Sequence, residues 1–203
     1  MDPRARAITL EYITLGWMVI EAGVALFAGI LASSIALVGF GLDSVIEIIA
    51  AATLVWRLTR GGEREAEAEA RAVKVVGLTF FALAAYVAYE SVTDLFFRRS
   101  PHSSLLGIVL AVAALLIMPF LAVAKRRIAM IMNSRALAAE AMQSFCCAYF
   151  SATLLVGLVL NRWMGWWWAD PAAALIMAGL MVREGVESLR DRPDCCHPVL
   201  TAK

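Results

Sequence analysis

The sequence predicts an all-α polytopic membrane protein of six transmembrane helices, arranged as a three-plus-three inverted repeat. Three observations carry this reading. The 203 residues are 62% hydrophobic and 17% charged, with a mean hydropathy of +0.76, whereas a soluble domain averages about 45 to 50% apolar and about 25% charged; a water-soluble globule is excluded. The apolar residues fall into six stretches, each long enough to cross a bilayer core of about 30 Å, which takes about 20 helical residues at about 1.5 Å each. The second and fifth stretches repeat each other at an offset of one hundred residues. A formal charge of +1, from 18 basic and 17 acidic residues, excludes a nucleic-acid binder, whose footprint is a strongly basic patch. The lipid bilayer is the partner that remains.

The spans are expected at 9–31, 34–56, 73–97, 105–124, 136–160 and 170–188, so that residues 1–188 form the transmembrane domain and 189–203 a short cytoplasmic tail. The first span is longer than a signal-peptide core and carries Glu21 at its centre, so it is expected to stay in the mature chain. Between the second and third spans, the acidic run from Glu63 to Glu69 reads as a solvated helical extension. Glu90 and Asp94, an i,i+4 pair, close the third span as interfacial residues, and Pro119 is expected to kink the fourth. The sixth opens on Asp170-Pro171, an N-cap followed by proline at the first helical position. Gly16, Gly23, Gly29, Gly39 and Gly41 are expected at close helix contacts.

Orientation follows from the basic residues. Fifteen Lys and Arg fall on the side of the two termini, and only Arg98, Arg99 and Arg162 on the other. The positive-inside rule then places both termini in the cytoplasm of a cell-membrane protein, with Trp163, Trp166, Trp167 and Trp168 at the outer interface. The cysteines occur as adjacent pairs, Cys146-Cys147 and Cys195-Cys196. Neighbouring Cα atoms about 3.8 Å apart lie below the usual disulfide range, so no disulfide framework is expected.

Ser34-Ile35-Ala36-Leu37 through Asp43-Ser44-Val45-Ile46-Glu47 aligns without gaps to Ser134-Arg135-Ala136-Leu137 through Gln143-Ser144-Phe145-Cys146-Cys147. Three spans per half make the halves inverted, as in many secondary transporters. Asp43 then lies about 13.5 Å below the outer end of its helix and Gln143 equally far from the inner end of its own, so the two polar pairs meet near the midplane.

Asp43 and Glu47 share one helix face, and a carboxylate at mid-bilayer costs about 2.5 to 3.5 kcal/mol on the most lenient scale. A cation site explains them better than packing alone. On the fifth span Glu140, Gln143 and Cys147 share a face, while Cys146 points about 100° away. Gln143 offers an amide oxygen and Cys147, as thiolate, a soft sulfur; with Asp43 and Glu47 they supply up to four ligands, a set that suits Zn²⁺ or Cd²⁺ better than Mg²⁺. Glu21 reads as a proton carrier, a partner to this site, or a helix–helix hydrogen bond, and Glu140 as a proton relay or an accessory on the site's face. Cys195, Cys196 and His197 form either a metal-collecting tail or an incidental cluster. No C-x-x-C is present for a thiol oxidoreductase, so no enzyme and no resident cofactor are expected.

At these residues the chain resembles the cation diffusion facilitator family, which has six spans with cytoplasmic ends, Asp-x-x-x-Asp on the second span, His-x-x-x-Asp on the fifth, a Ser-x-Ala-Leu run opening the second and Asp-Pro opening the sixth. Ser34-Ile35-Ala36-Leu37, Asp43-x-x-x-Glu47 and Asp170-Pro171 match, while Gln143 and Cys147 stand where the family has His and Asp. The resemblance implies proton-coupled efflux of a divalent metal from a homodimer, in a short member without the family's cytoplasmic C-terminal domain. Protons are the counter-ion. The rival readings are a carrier of another thiophilic ion, Hg²⁺ or Cu⁺, and a non-transporting adaptor whose polar residues only fix packing.

Overall fold

The computed structural model describes residues 3–60, 63–99, 102, 104–132 and 134–189. Six helices account for nearly all of them: α1 (Pro3–Ala32), α2 (Ile35–Arg60), α3 (Glu63–Phe97), α4 (Leu105–Met132), α5 (Arg135–Met164) and α6 (Ala169–Leu189). A helix is present at each expected span, and most helices run beyond the apolar stretch that marks them. α3 begins at Glu63, so the acidic run is helical; α4 continues through Pro119 and on to Met132, absorbing most of what the sequence suggested was a basic loop. Backbone hydrogen bonds satisfied within the helix let it extend past the hydrocarbon layer wherever no breaker intervenes.

The breakers sit where the chain turns. Ser33 (φ 51°) and Arg98 (φ 51°) are in the left-handed region, and Gly165 (φ 65°) ends α5 with its N–H on Asn161 O at 3.1 Å. The α1–α2 turn is tight, and His102 N–H bonds Ala32 O at 2.7 Å, tying the α3–α4 connection to it. One end of the bundle therefore holds the α1–α2, α3–α4 and α5–α6 turns. The opposite, terminal end holds the start of α1 and the α2–α3 and α4–α5 turns.

The helices are apolar on both sides. Ala25, Leu37, Phe40, Val87, Met118, Leu154 and Met177 fill the core, while Val19, Phe27, Leu116 and Phe120 lie on the outside and are more than half exposed. That is the distribution of a bundle solvated by lipid. α1, α4 and the stretches Ile35–Ala52, Phe80–Phe97 and Glu140–Met164 are long and apolar enough to cross a membrane. α6 carries Asp170, Arg183, Glu184 and Glu187 and is less apolar, but its Ala173, Ala174, Met177, Ala178 and Met181 are buried against its neighbours.

Among the expected close contacts, Gly29 and Gly41 are genuine. A Cβ at Gly29 would lie 2.9 Å from Val38 N, and one at Gly41 3.0 Å from Leu26 N, so α1 and α2 touch backbone to backbone. Gly39 packs against the Val87 side chain. Gly16 and Gly23 correct the expectation: both are exposed, with no protein atom within 4 Å of a built Cβ, because they lie on the outward face of α1 with Val19 and Phe27.

The repeat is visible in hydrogen bonds. Ser34 N–H bonds Gly29 O at 3.0 Å and Ser134 N–H bonds Ala129 O at 3.0 Å. Ser34 Oγ accepts from Leu37 N at 3.2 Å and Ser134 Oγ from Leu137 N at 3.4 Å. Nearly three turns deeper, the Ser44 hydroxyl lies 3.1 Å from Phe40 O and the Ser144 hydroxyl 3.1 Å from Glu140 O. Helix packing follows the same exchange of halves: α1 on α2 matches α4 on α5, α2 on α3 matches α5 on α6, and α1–α4, α2–α5 and α3–α6 pair across the relation.

Candidate functional site

The α2–α5 pair brings the repeated polar residues together in the bundle interior. Asp43 and Ser44 are fully buried and Glu47 nearly so; Cys147 is buried and Gln143 half-buried. Gln143 Nε2 donates to Glu47 Oε1 at 2.9 Å. With the amide so placed, its nitrogen faces the carboxylate, and a half-turn about its last torsion would present the oxygen instead.

Glu21 arrives from α1, fully buried and well supplied with donors. Trp17 Nε1 donates to its Oε2 at 2.6 Å, the Ser44 hydroxyl to its Oε1 at 2.8 Å, and the Cys147 thiol to the same oxygen at 3.4 Å. Of the readings open for Glu21, the structure makes it a neighbour of the Asp43–Glu47 pair and a helix–helix hydrogen bonder at once. Trp17 and Ser44 do this supporting work unpredicted; the i,i+4 step from Trp17 to Glu21 is the one signal the sequence held.

Asp43 is different. Neither of its carboxylate oxygens has a hydrogen-bond partner, and Glu47 Oε2 has none either. Buried carboxylate oxygens without donors forfeit hydration with nothing in return. Its ionisable neighbours include Glu21, Glu47 and Glu184, all acids, and none of these supplies a positive charge. Cys147 feels Glu47, Glu21 and Asp43 together. The four residues of the expected ligand set thus share one neighbourhood, held as the pairs Glu47–Gln143 and Cys147–Glu21 with Asp43 between acids. Among the described residues no three His, Cys, Asp or Glu side chains converge as a ready-made cage.

Cys146 is not turned idly away. Its Sγ lies 2.9 Å from Glu184 Oε1 on α6, a contact that reading α5 alone did not anticipate. Glu140 has partners beyond its own helix. It shares the face of Gln143, but its carboxylate pairs with Lys125 Nζ at 3.6 Å, and the same ammonium lies 3.0 Å from Glu11 Oε2. Lys125, expected among the basic residues of a loop, is fully buried inside α4.

At the turn-bearing end, Asp170 corrects another expectation. Its carboxylate does not cap its own helix; Oδ1 accepts from Ser34 Oγ at 2.5 Å and Oδ2 from Ala36 N at 3.4 Å. It caps α2 across the bundle, so the Ser-x-Ala-Leu and Asp-Pro motifs are two halves of one clamp. Beside it a groove of about 280 Å³ is lined in part by Gly29, Ser34, Glu90, Asp94 and Arg99. Asp94 pairs there with Arg99 at 3.7 Å. Cys195, Cys196 and His197 lie outside the described residues.

Residues 12–192 match the family of the cation efflux transmembrane domain. Transmembrane protein 163 of Xenopus laevis is 21% identical over 192 residues, covering 93% of this chain and 68% of that protein. An uncharacterized transporter of Synechocystis is 26% identical over 195 residues, covering 89% of this chain and 63% of its own length. The chain spans about two thirds of the length of these curated relatives.

Proposed function

The chain belongs to the cation efflux family, and from that premise we propose that it is a secondary transporter which exports a thiophilic divalent metal, Zn²⁺ or Cd²⁺, across the cytoplasmic membrane in exchange for protons. The observation that carries this reading is the set of three buried carboxylate oxygens on Asp43 and Glu47 with no hydrogen-bond partner, at the contact of the two repeated helices. A cation meets the need that no protein donor meets.

Binding draws in the flanking pairs. As the ion arrives, the Gln143 amide turns its oxygen inward and the Cys147 thiol gives up its proton and its bond to Glu21, so that oxygen and sulfur ligands close around the metal. Protons return to the same groups when the metal leaves, which couples the two fluxes in opposite directions. The sulfur sets the preference toward soft ions. Both termini face the cytoplasm, the working unit is a homodimer, and Cys195, Cys196 and His197 gather metal for the transport site.

The test is metal flux into everted vesicles or proteoliposomes. Asp43→Asn should reduce Cd²⁺ and Zn²⁺ flux to background while the protein stays inserted and monodisperse. Wild-type flux in that variant rules out the Asp43–Glu47 site.

A further inference from the structure

Glu11 on α1, Lys125 on α4 and Glu140 on α5 form a second charged cluster, between the Asp43–Glu47 site and the terminal end of the bundle. Lys125 Nζ sits 3.0 Å from Glu11 Oε2 and 3.6 Å from Glu140 Oε2; Lys125 and Glu11 are 0% exposed and the Glu140 side chain 11%. Glu11 Oε1, fully buried, has no hydrogen-bond partner. One ammonium thus faces two carboxylates, and with all three ionised the cluster keeps one uncompensated negative charge. Buried ion groups of this kind contribute little to stability, because desolvation offsets their attraction. Position gives the cluster another use: Glu140 stands one turn before Gln143 and two before Cys147 on α5, and its charge acts on Glu47.

We infer that Glu11 and Glu140 form a second binding site for a divalent cation, on the path between the terminal end and Asp43–Glu47, and that the Lys125 ammonium is its tethered occupant in this conformation. The place on a path rests on the transport reading above; the site itself does not. Lysine is a compact charge on a flexible four-carbon stem, able to swing off and return. A divalent ion neutralises both carboxylates where the ammonium neutralises one, so the ion displaces it despite the tether. All the donors are carboxylate oxygens, so this site accepts hard and borderline divalent ions alike, unlike one that contains Cys147.

The experiment is Zn²⁺ binding to the purified full chain in detergent, by equilibrium dialysis. Lys125→Gln, which keeps a polar partner for the acids, should bind one of its Zn²⁺ equivalents at least tenfold more tightly than wild type, where the ion must first displace the ammonium. That equivalent should vanish in Lys125→Gln/Glu11→Gln and gain no affinity in Lys125→Arg. A monodisperse Lys125→Gln protein with wild-type affinity for every equivalent overturns the inference. A wild-type readout stands beside it: Zn²⁺ should raise acylation of Lys125 by an amine-specific reagent several-fold, read residue by residue by mass spectrometry, and unchanged or reduced labelling also overturns the site. Asp43→Asn separates the two readings. It should remove one equivalent from wild type and leave the gain in affinity of Lys125→Gln in place; loss of one without the other shows which has failed.

Discussion

Cys147 is the residue at which this chain departs most from the pattern its family implies, and its surroundings give the departure a chemical meaning. Its sulfur is buried beside Glu21, with Glu47 and Asp43 in electrostatic reach. A thiolate gains more from Zn²⁺ or Cd²⁺ than from Mn²⁺, whose preferred partners are oxygens. Cys147→Asp should therefore lower the ratio of Cd²⁺ to Mn²⁺ flux in proteoliposomes, by about tenfold if one sulfur ligand contributes about 1.4 kcal/mol of preference. Cys146→Ser should leave that ratio unchanged, since a serine hydroxyl still donates to Glu184. A ratio that follows Cys146 and ignores Cys147 would place the ion against α6. At this scale the sequence was informative where charge was out of place. Asp43, Glu47 and Glu21 are acids in the middle of apolar stretches; helical spacing put Asp43 and Glu47 on one face and left the partner of Glu21 open. Glu11 and Lys125 sit near the ends of theirs, where charges ordinarily face water, and Arg126-Arg127 made Lys125 look like part of a loop. Glu140 was placed on the right face, but helical spacing says nothing about which neighbouring helix supplies its partner.

Elements are held in register by a few contacts that the sequence marked without explaining. Ser34 and Asp170 are 136 residues apart, yet one carboxylate bonds the Ser34 hydroxyl and a backbone N–H of the first turn of α2. A local reading of Asp-Pro sees only a helix start, because the N-cap rule concerns the helix the residue opens and the recipient here is another one. Removing such a carboxylate strands a buried hydroxyl and a helix N-terminus, at about 1 to 3 kcal/mol. Asp170→Ala should accordingly lower the melting temperature in detergent by several degrees, and Asp170→Asn, which keeps one acceptor oxygen, by less. Equal melting of all three proteins would mean the clamp does not hold α2 to α6. Gly29 supplies a comparison at the same turn: a side chain there meets the backbone of Val38 and Leu37, which cannot step aside. Gly16 and Gly23 show why glycine content alone misleads, since without knowing which face of α1 turns inward a packing glycine and a lipid-facing one read alike.

The whole molecule is governed by the relation between its halves, and that relation makes orientation a strong constraint. Helix capping at Ser34 and Ser134 and the hydroxyl bonds at Ser44 and Ser144 repeat at an offset of one hundred, in helices that traverse the bundle in opposite senses. Asp43 and Glu47 lie where these helices meet, and a relation that exchanges the halves favours neither end, so the direction of any transport must come from the ends themselves. They differ in charge. On the six-span reading of the sequence, fourteen basic residues besides the buried Lys125 belong to the terminal side against three on the other. An asymmetry of that size orients a multi-spanning chain with its basic end in the cytoplasm. A phosphatase and fluorescent-protein reporter pair should therefore report a cytoplasmic position after Lys203 and an external one in the α5–α6 turn near Gly165, where Trp163, Trp166 and Trp168 lie at the surface. Both positions follow from one orientation of one topology: six crossings put the ends of the chain on one side, and an odd number of crossings separates Gly165 from either. Two reporters on the same side would break the six-span reading and the inverted relation with it. Exchanged positions would keep the fold and reverse the transport, with the Glu11–Glu140 pair facing outward and Asp94 and the groove beside Ser34 opening to the cytoplasm.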